Sequence, residues 1–219
     1  MRDELATLVS GDLRSPDAES KAEFLRHFHA EELVFTTSTT AALAQWAEYF
    51  EGLEESNEPG KVVGAVAFTA INHNISSFKL FMSGYIVASG SLFRQVLEGV
   101  SLALLCSTKS LSVLDRFMKD KYSTKNAVAD LAKQARVVGV KPEAVRTLQA
   151  AYTFYHRYSH LSKLTIAAGA NFSLGGVPNV GAYFDPSKLP EYRKEVKGRV
   201  SLAKVLPNIV SIIVRNSSG

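Results

Sequence analysis

Residues 62–108 read VVGAVAFTAINHNISSFKLFMSGYIVASGSLFRQVLEGVSLALLCST, and this run decides the fold. Its only formal charges are Lys79, Arg94 and Glu98, so most of its length has to be buried. As one helix it would extend roughly 70 Å at about 1.5 Å per residue, too long for a domain of ordinary size. It is therefore predicted to form two core helices, over about 61–79 and about 81–107. A membrane span is a poor fit, because spanning needs about 20 predominantly apolar residues. Asn72, His73 and Asn74 interrupt the first part of the run, and Arg94 falls within the second.

Toward the N-terminus, Asn57-Glu58-Pro59-Gly60 is a strong turn signal. Before it a helix is expected over Ser38–Glu55, with Leu43, Trp46, Ala47 and Phe50 at spacings of three and four. An earlier helix is expected to open at Ser15-Pro16 and run to about His29, with Ser15 as cap and Pro16 at the first helical position.

Toward the C-terminus, Ser123 is a candidate cap for a helix that stops at Gly139. Pro142 opens a long helix expected to reach about Ala168. Residues 170–184, ANFSLGGVPNVGAYF, have the composition of a short β-hairpin. A last helix is expected over about 190–214, with Pro207 bending or splitting it. The whole is predicted to be all-α, a single-domain helical bundle over 1–219 with a small C-terminal hairpin before the last helix. Its parts are acidic N-terminal helices (1–57), core helices (61–168), the hairpin (169–185) and a C-terminal helix (190–214).

At 219 residues, with 46% hydrophobic and 21% charged side chains, the chain has neither a disordered nor a fibrous composition. Cys106 is the single cysteine, which excludes an internal disulfide and a multi-cysteine metal site and points to a reducing compartment. The opening MRDELATLVSGD has no apolar leader segment, so a cytoplasmic location is expected. Net charge is +4, but it is unevenly distributed. Residues 1–108 hold 7 Lys/Arg against 14 Asp/Glu, a balance of −7, and residues 109–219 hold 18 against 7, a balance of +11. Either the halves neutralise one another, within the chain or across a homo-oligomer, or the basic half meets RNA or another anionic partner.

The sequence contains no phosphate-binding loop, dinucleotide fingerprint, nucleophile elbow or HExxH pair, and no cofactor is expected. Three constellations remain. Arg94 and Glu98 lie about 40° apart on one helix face and need polar partners, either each other as an ion pair or a bound anion. In YTFYHRYSH (152–160), His156, Arg157 and His160 share a polar face while Tyr155 and Ser159 lie toward the apolar one. His156 and His160 have metal-ligand spacing without a third ligand, so no metal is expected. Arg193, Lys194, Lys197, Arg199 and Lys204 of the last helix, with Glu191 and Glu195 a turn away, read as a paired basic surface. The candidate ligand-binding residues are Arg94, Glu98, Tyr155, His156 and Ser159.

SLFRQVLEGVSLALL followed by FYHRYSHLSK resembles a group of bacterial helical proteins near the HEPN (higher eukaryotes and prokaryotes nucleotide-binding) superfamily. Bundles of that superfamily often act as ribonucleases or nucleic-acid modules in stress response, toxin systems and phage defence, usually as dimers. The resemblance implies His160 as general acid or base and Arg94 or Arg157 as a phosphate-stabilising residue, with His160 and Arg157 the candidate catalytic residues. The superfamily's ribonuclease motif separates Arg from His by four to six residues, whereas Arg157 and His160 have two between them.

Overall fold

The computed structural model describes residues 2–14 and 17–218. The expected cap at Ser15 and the helix start at Pro16 lie outside the described residues. The protein is an all-α bundle of α1 (Arg2–Arg14), α2 (Ala18–Glu51), α3 (Glu58–Met82), α4 (Ile86–Ser107), α5 (Val113–Met118), α6 (Ala127–Val138), α7 (Pro142–His156), α8 (Lys163–Ala168) and α9 (Leu189–Ser218). Among the described residues, no helix is long and apolar enough to cross a membrane.

The apolar run forms the antiparallel pair α3 and α4 at the centre, joined by a tight turn at Ser83-Gly84-Tyr85. Gly84 is required there: its φ is 89°, and a Cβ would stand 2.7 Å from the backbone of Tyr183. Asn57 caps α3 by accepting from the Gly60 N–H at 2.9 Å, as the turn signal implied. Cys106, at the end of α4, is packed in the core, and burial pushes its thiol up to about 12.

Helices α2 and α9 pack together along their lengths, Phe24 against Tyr192 near one end and Gln45 beside Ser211 near the other. The two N-terminal helices expected on either side of residues 30–37 are one helix, kinked at Phe28 (φ −133°, ψ 20°). The intervening turns stay helical because Phe35 is buried and stacks on Phe78 at 4.0 Å, tertiary packing that outweighs the β-branched run after it. Pro207 does not split α9, whose inward seam of Val196, Val200, Ala203, Leu206, Val210 and Ile213 continues past it.

The long helix expected from Pro142 to Ala168 is broken. Helix α7 ends at His156, a 3-10 turn covers Arg157–Ser159, His160 is extended, and α8 begins afresh at Lys163. A capping box causes the restart: Ser162 Oγ accepts from the Thr165 N–H at 3.3 Å, and Thr165 Oγ1 accepts from the Ser162 N–H at 2.8 Å. The hairpin is minimal. Ala170–Asn171 (β1) pairs antiparallel with Val177–Pro178 (β2), with Gly175 and Gly176 both at positive φ between them.

One layer of the bundle is polar. Helices α2 and α3 run antiparallel with Phe35 level with Phe78 and the Trp46 indole donating to the Gly64 carbonyl at 2.8 Å, which brings Thr39 level with Asn74. Asn74 is 0% exposed, and neither its amide nitrogen nor its oxygen has a partner among the described residues; the Thr39 hydroxyl is likewise buried without one. A buried amide without hydrogen bonds costs about 1–3 kcal/mol. Asn74→Leu, which keeps the branched four-atom shape without the polar atoms, is expected to raise the melting temperature, at about 2–4 °C per kcal/mol for a chain of this size. Calorimetry checks this, and a lowered midpoint would mean that the amide is satisfied in solution.

Candidate functional site

The interior is built around a charge. Arg199 lies on the inward face of α9 and is 0% exposed. Its guanidinium stands 4.8 Å from the ring centroids of both Phe81 and Phe93 and 5.3 Å from that of Tyr155. Nη1 donates to Glu195 Oε2, one turn earlier, and to Tyr155 Oη at 3.1 Å, while Nη2 donates to Ser89 Oγ at 2.8 Å. Ser89 Oγ in turn donates to the Ser77 carbonyl at 2.8 Å, tying the guanidinium to the α3–α4 pair. Burial opposes the charge on Arg199, but Tyr155 and Glu195 more than offset this and hold its pKa above the ordinary value. Arg199 and Glu195, expected on a paired surface, are therefore core residues. Both fall in the apolar seam of α9, Arg199 fully enclosed and Glu195 7% exposed.

Two tyrosines complete the cluster. Tyr155 donates to Glu195 Oε2 at 2.7 Å, and Tyr158 donates to Oε1 at 3.2 Å. The 3-10 turn after α7 makes this possible, since residues three apart nearly eclipse in that geometry and both rings face the same way. They stack with centroids 5.8 Å apart. Gly90 on α4 makes room for Tyr158, because a Cβ there would lie 2.5 Å from the ring. Burial pushes both hydroxyls well above the usual tyrosine range, so they remain protonated donors.

Above Glu195 a cleft of about 480 Å³ opens between α7–α8 and the first turns of α9. Its walls are apolar, formed by Ile86, Phe154, Tyr158, Leu164, Phe172 and Tyr192. Lys188, Glu191, Lys194 and Glu195 supply its charges. Lys188 Nζ donates to the carbonyls of Ala167 (2.9 Å), Ala168 (3.1 Å) and Ala170 (2.5 Å) and touches Tyr183 Oη at 2.5 Å. Burial holds its pKa below the ordinary lysine value.

The hairpin beside the cleft is fixed by Asp185. Its buried carboxylate accepts from Phe172 N, Ser173 Oγ, Ser187 N and Ser187 Oγ at 2.5–3.0 Å. Burial alone would raise its pKa; the hydrogen bonds from Ser173, Ser187 and Phe172 outweigh that and pull it from 3.8 to about 2. A second depression, of about 550 Å³, lies between the C-terminal ends of α2 and α9 beside Glu48, Tyr49 and Arg215. It is more open than the cleft and borders none of the buried charges.

The other expected residues divide into separate groups. Arg94 Nη2 donates to Glu98 Oε1 at 2.8 Å, and Tyr152 Oη donates to the same oxygen at 3.0 Å, so the pair is answered by α7. Burial opposes the Arg94 charge, and Glu98 and Tyr152 outweigh it, holding the pKa above the ordinary value. His156 and His160 meet edge to face at 4.8 Å, but both are exposed, as is Arg157; Ser159 is half-buried. Neither histidine hydrogen-bonds through its side chain to Arg94 or Glu98. Of the expected ligand residues, Tyr155 alone belongs to the cluster under the cleft. Among the described residues, no group of three or more His, Cys, Asp or Glu side chains stands close enough to hold a metal ion. No family model, curated protein or solved structure matches the chain.

Removing Arg199 strands a buried carboxylate, so Arg199→Ala should cost about 3–5 kcal/mol. Replacing the pair together, Arg199→Met with Glu195→Leu, should cost far less. Denaturant unfolding measures both variants, and equal losses would show that the two charges are not coupled.

Proposed function

We propose that the chain is a ligand-binding or regulatory module whose ligand sits in the cleft over Glu195. One observation carries the reading: an apolar, aromatic-walled cavity ends on a buried carboxylate held in place by Tyr155, Tyr158 and Arg199. An enclosure of this kind, with few polar groups on its floor, orients a small molecule at little ordering cost. Binding is favoured over catalysis because the polar groups at the floor are already committed to one another. The ribonuclease reading implied by the HEPN resemblance would rest instead on His160 and Arg157, whose side chains are exposed. The single buried cysteine suits a reducing compartment, and we assign the module to the cytoplasm.

The test uses aromatic fragments followed by backbone amide NMR shifts. Shifts are expected at Phe154, Leu164, Ala168, Phe172 and Glu195. Ala168→Trp, which fills the cleft, should abolish them while the chain stays folded, as unchanged amide shifts away from the cleft would show. Fragments that shift none of these amides, or that bind Ala168→Trp equally well, would overturn the reading.

A second reading is contact with RNA or another polyanion, favoured by the outer face of α9. Arg193, Lys197 and Lys204 are exposed there and make no ion pair among the described residues. At about 100° per residue they fall within about 40° of one another, spanning about 16 Å along the helix. Charge reversal at all three should abolish retention of a mixed-sequence single-stranded RNA, and wild-type affinity should fall steeply as salt rises. An affinity that is flat against salt removes this reading.

A further inference from the structure

Resting on the cleft as the binding site, we infer that its ligand is a neutral, largely aromatic molecule that donates a hydrogen bond to Glu195 Oε1. Three observations select this class.

Every charge around the cleft is already answered within the chain. Arg199 answers Glu195, Glu191 stands 3.7 Å from Lys194 at the rim, and three carbonyls encircle the Lys188 ammonium. A carboxylate or ammonium entering the cleft would lose its hydration; Glu195 is already neutralised by Arg199, and Lys188, which has no carboxylate partner, directs its protons to three backbone carbonyls. An uncharged ligand avoids that loss.

The deep donors are also spent. Lys188 has three protons and four acceptors within reach, the Ser187 hydroxyl donates to Asp185 Oδ1 at 2.7 Å, and the Tyr158 hydroxyl donates to Glu195. What the floor still offers is acceptor capacity. Glu195 Oε2 takes both Tyr155 and Arg199, whereas Oε1 takes only Tyr158, at the longer distance of 3.2 Å. A carboxylate oxygen accepts two hydrogen bonds, so Oε1 has room for one more donor, an O–H or N–H of the ligand.

The walls give the rest of the molecule its character. Phe154, Tyr158, Phe172 and Tyr192 present ring faces and edges, and Ile86 and Leu164 close the sides, a lining that favours a flat ring system over a flexible polar chain. A cavity of about 480 Å³ has room for at least two fused rings.

The experiment measures the affinity of four matched probes by calorimetry at neutral pH: β-naphthol, naphthalene, β-naphthoate and β-naphthylmethylammonium. β-Naphthol is expected to bind about 10-fold or more tighter than naphthalene, as one hydrogen bond to a charged acceptor provides, and tighter than either ion. Tyr158→Phe, which frees Oε1, should tighten β-naphthol several-fold and leave naphthalene unchanged. Glu195→Gln should reduce the difference between those two probes, and Tyr158→Phe keeps the test informative if Glu195→Gln does not fold.

Naphthalene binding as tightly as β-naphthol, or either ion binding tightest, would overturn the ligand class while leaving the cleft as a binding site. If none of the probes binds, or all bind Ala168→Trp equally, the binding site itself is overturned, and the inference goes with it.

Discussion

A guanidinium without solvent is the constraint that organises this protein. An isolated buried cation would be untenable, and the chain answers Arg199 from several directions at once. Glu195 neutralises it within α9, Tyr155 approaches from α7, Ser89 from α4, and the rings of Phe81 and Phe93 cover its faces. These partners come from segments far apart in sequence, so the cluster specifies how α9 docks against α3, α4 and α7 as well as stabilising the docked state. A purely apolar seam would tolerate sliding, whereas hydrogen bonds of fixed length do not. Specificity of this kind is the best-attested reason for keeping a charge inside.

The same cluster makes the cleft. Glu195, held by Arg199 and by two tyrosines, is itself part of the cavity lining. Tyr158 reaches it only because the helix tightens after His156 and because Gly90 lacks a side chain. Beyond the tyrosines, Asp185 and Lys188 pin the hairpin against α8, so the cavity wall is built from the least regular part of the chain and made rigid by buried polar contacts. Regular helices supply the floor, and a stapled loop supplies one side.

Much of the fold was legible in the sequence, because helical periodicity and the scarcity of charge in 62–108 depend on local composition. The α3–α4 pair, the Asn57 cap, the stop at Gly139 and the hairpin all follow from such signals. Helix α1 and the continuity of α2 were not legible, the latter because it depends on Phe35 meeting Phe78, a contact 43 positions apart. The break after His156 does have a local signal, the Ser162-x-x-Thr165 capping box. The candidate site was less legible still. Glu195 and Arg199 resemble an ordinary surface pair at one-turn spacing. On a helical wheel, however, Arg199 falls about 20° from Tyr192 and about 40° from Ala203, in the middle of the apolar stripe, an angular position that fits burial rather than the surface. Arg94 and Glu98, by contrast, stood out because their neighbours are apolar in sequence as well as in space.

Cys106 has a consequence of a different kind. Its sulfur is enclosed at the end of α4 and stays protonated at any physiological pH. Alkylating reagents and oxidants act on the thiolate, so the native molecule shields its single thiol from both. Reaction at that atom would then report excursions in which α4 comes away from its neighbours, giving the protein a built-in clock for opening of its central helix.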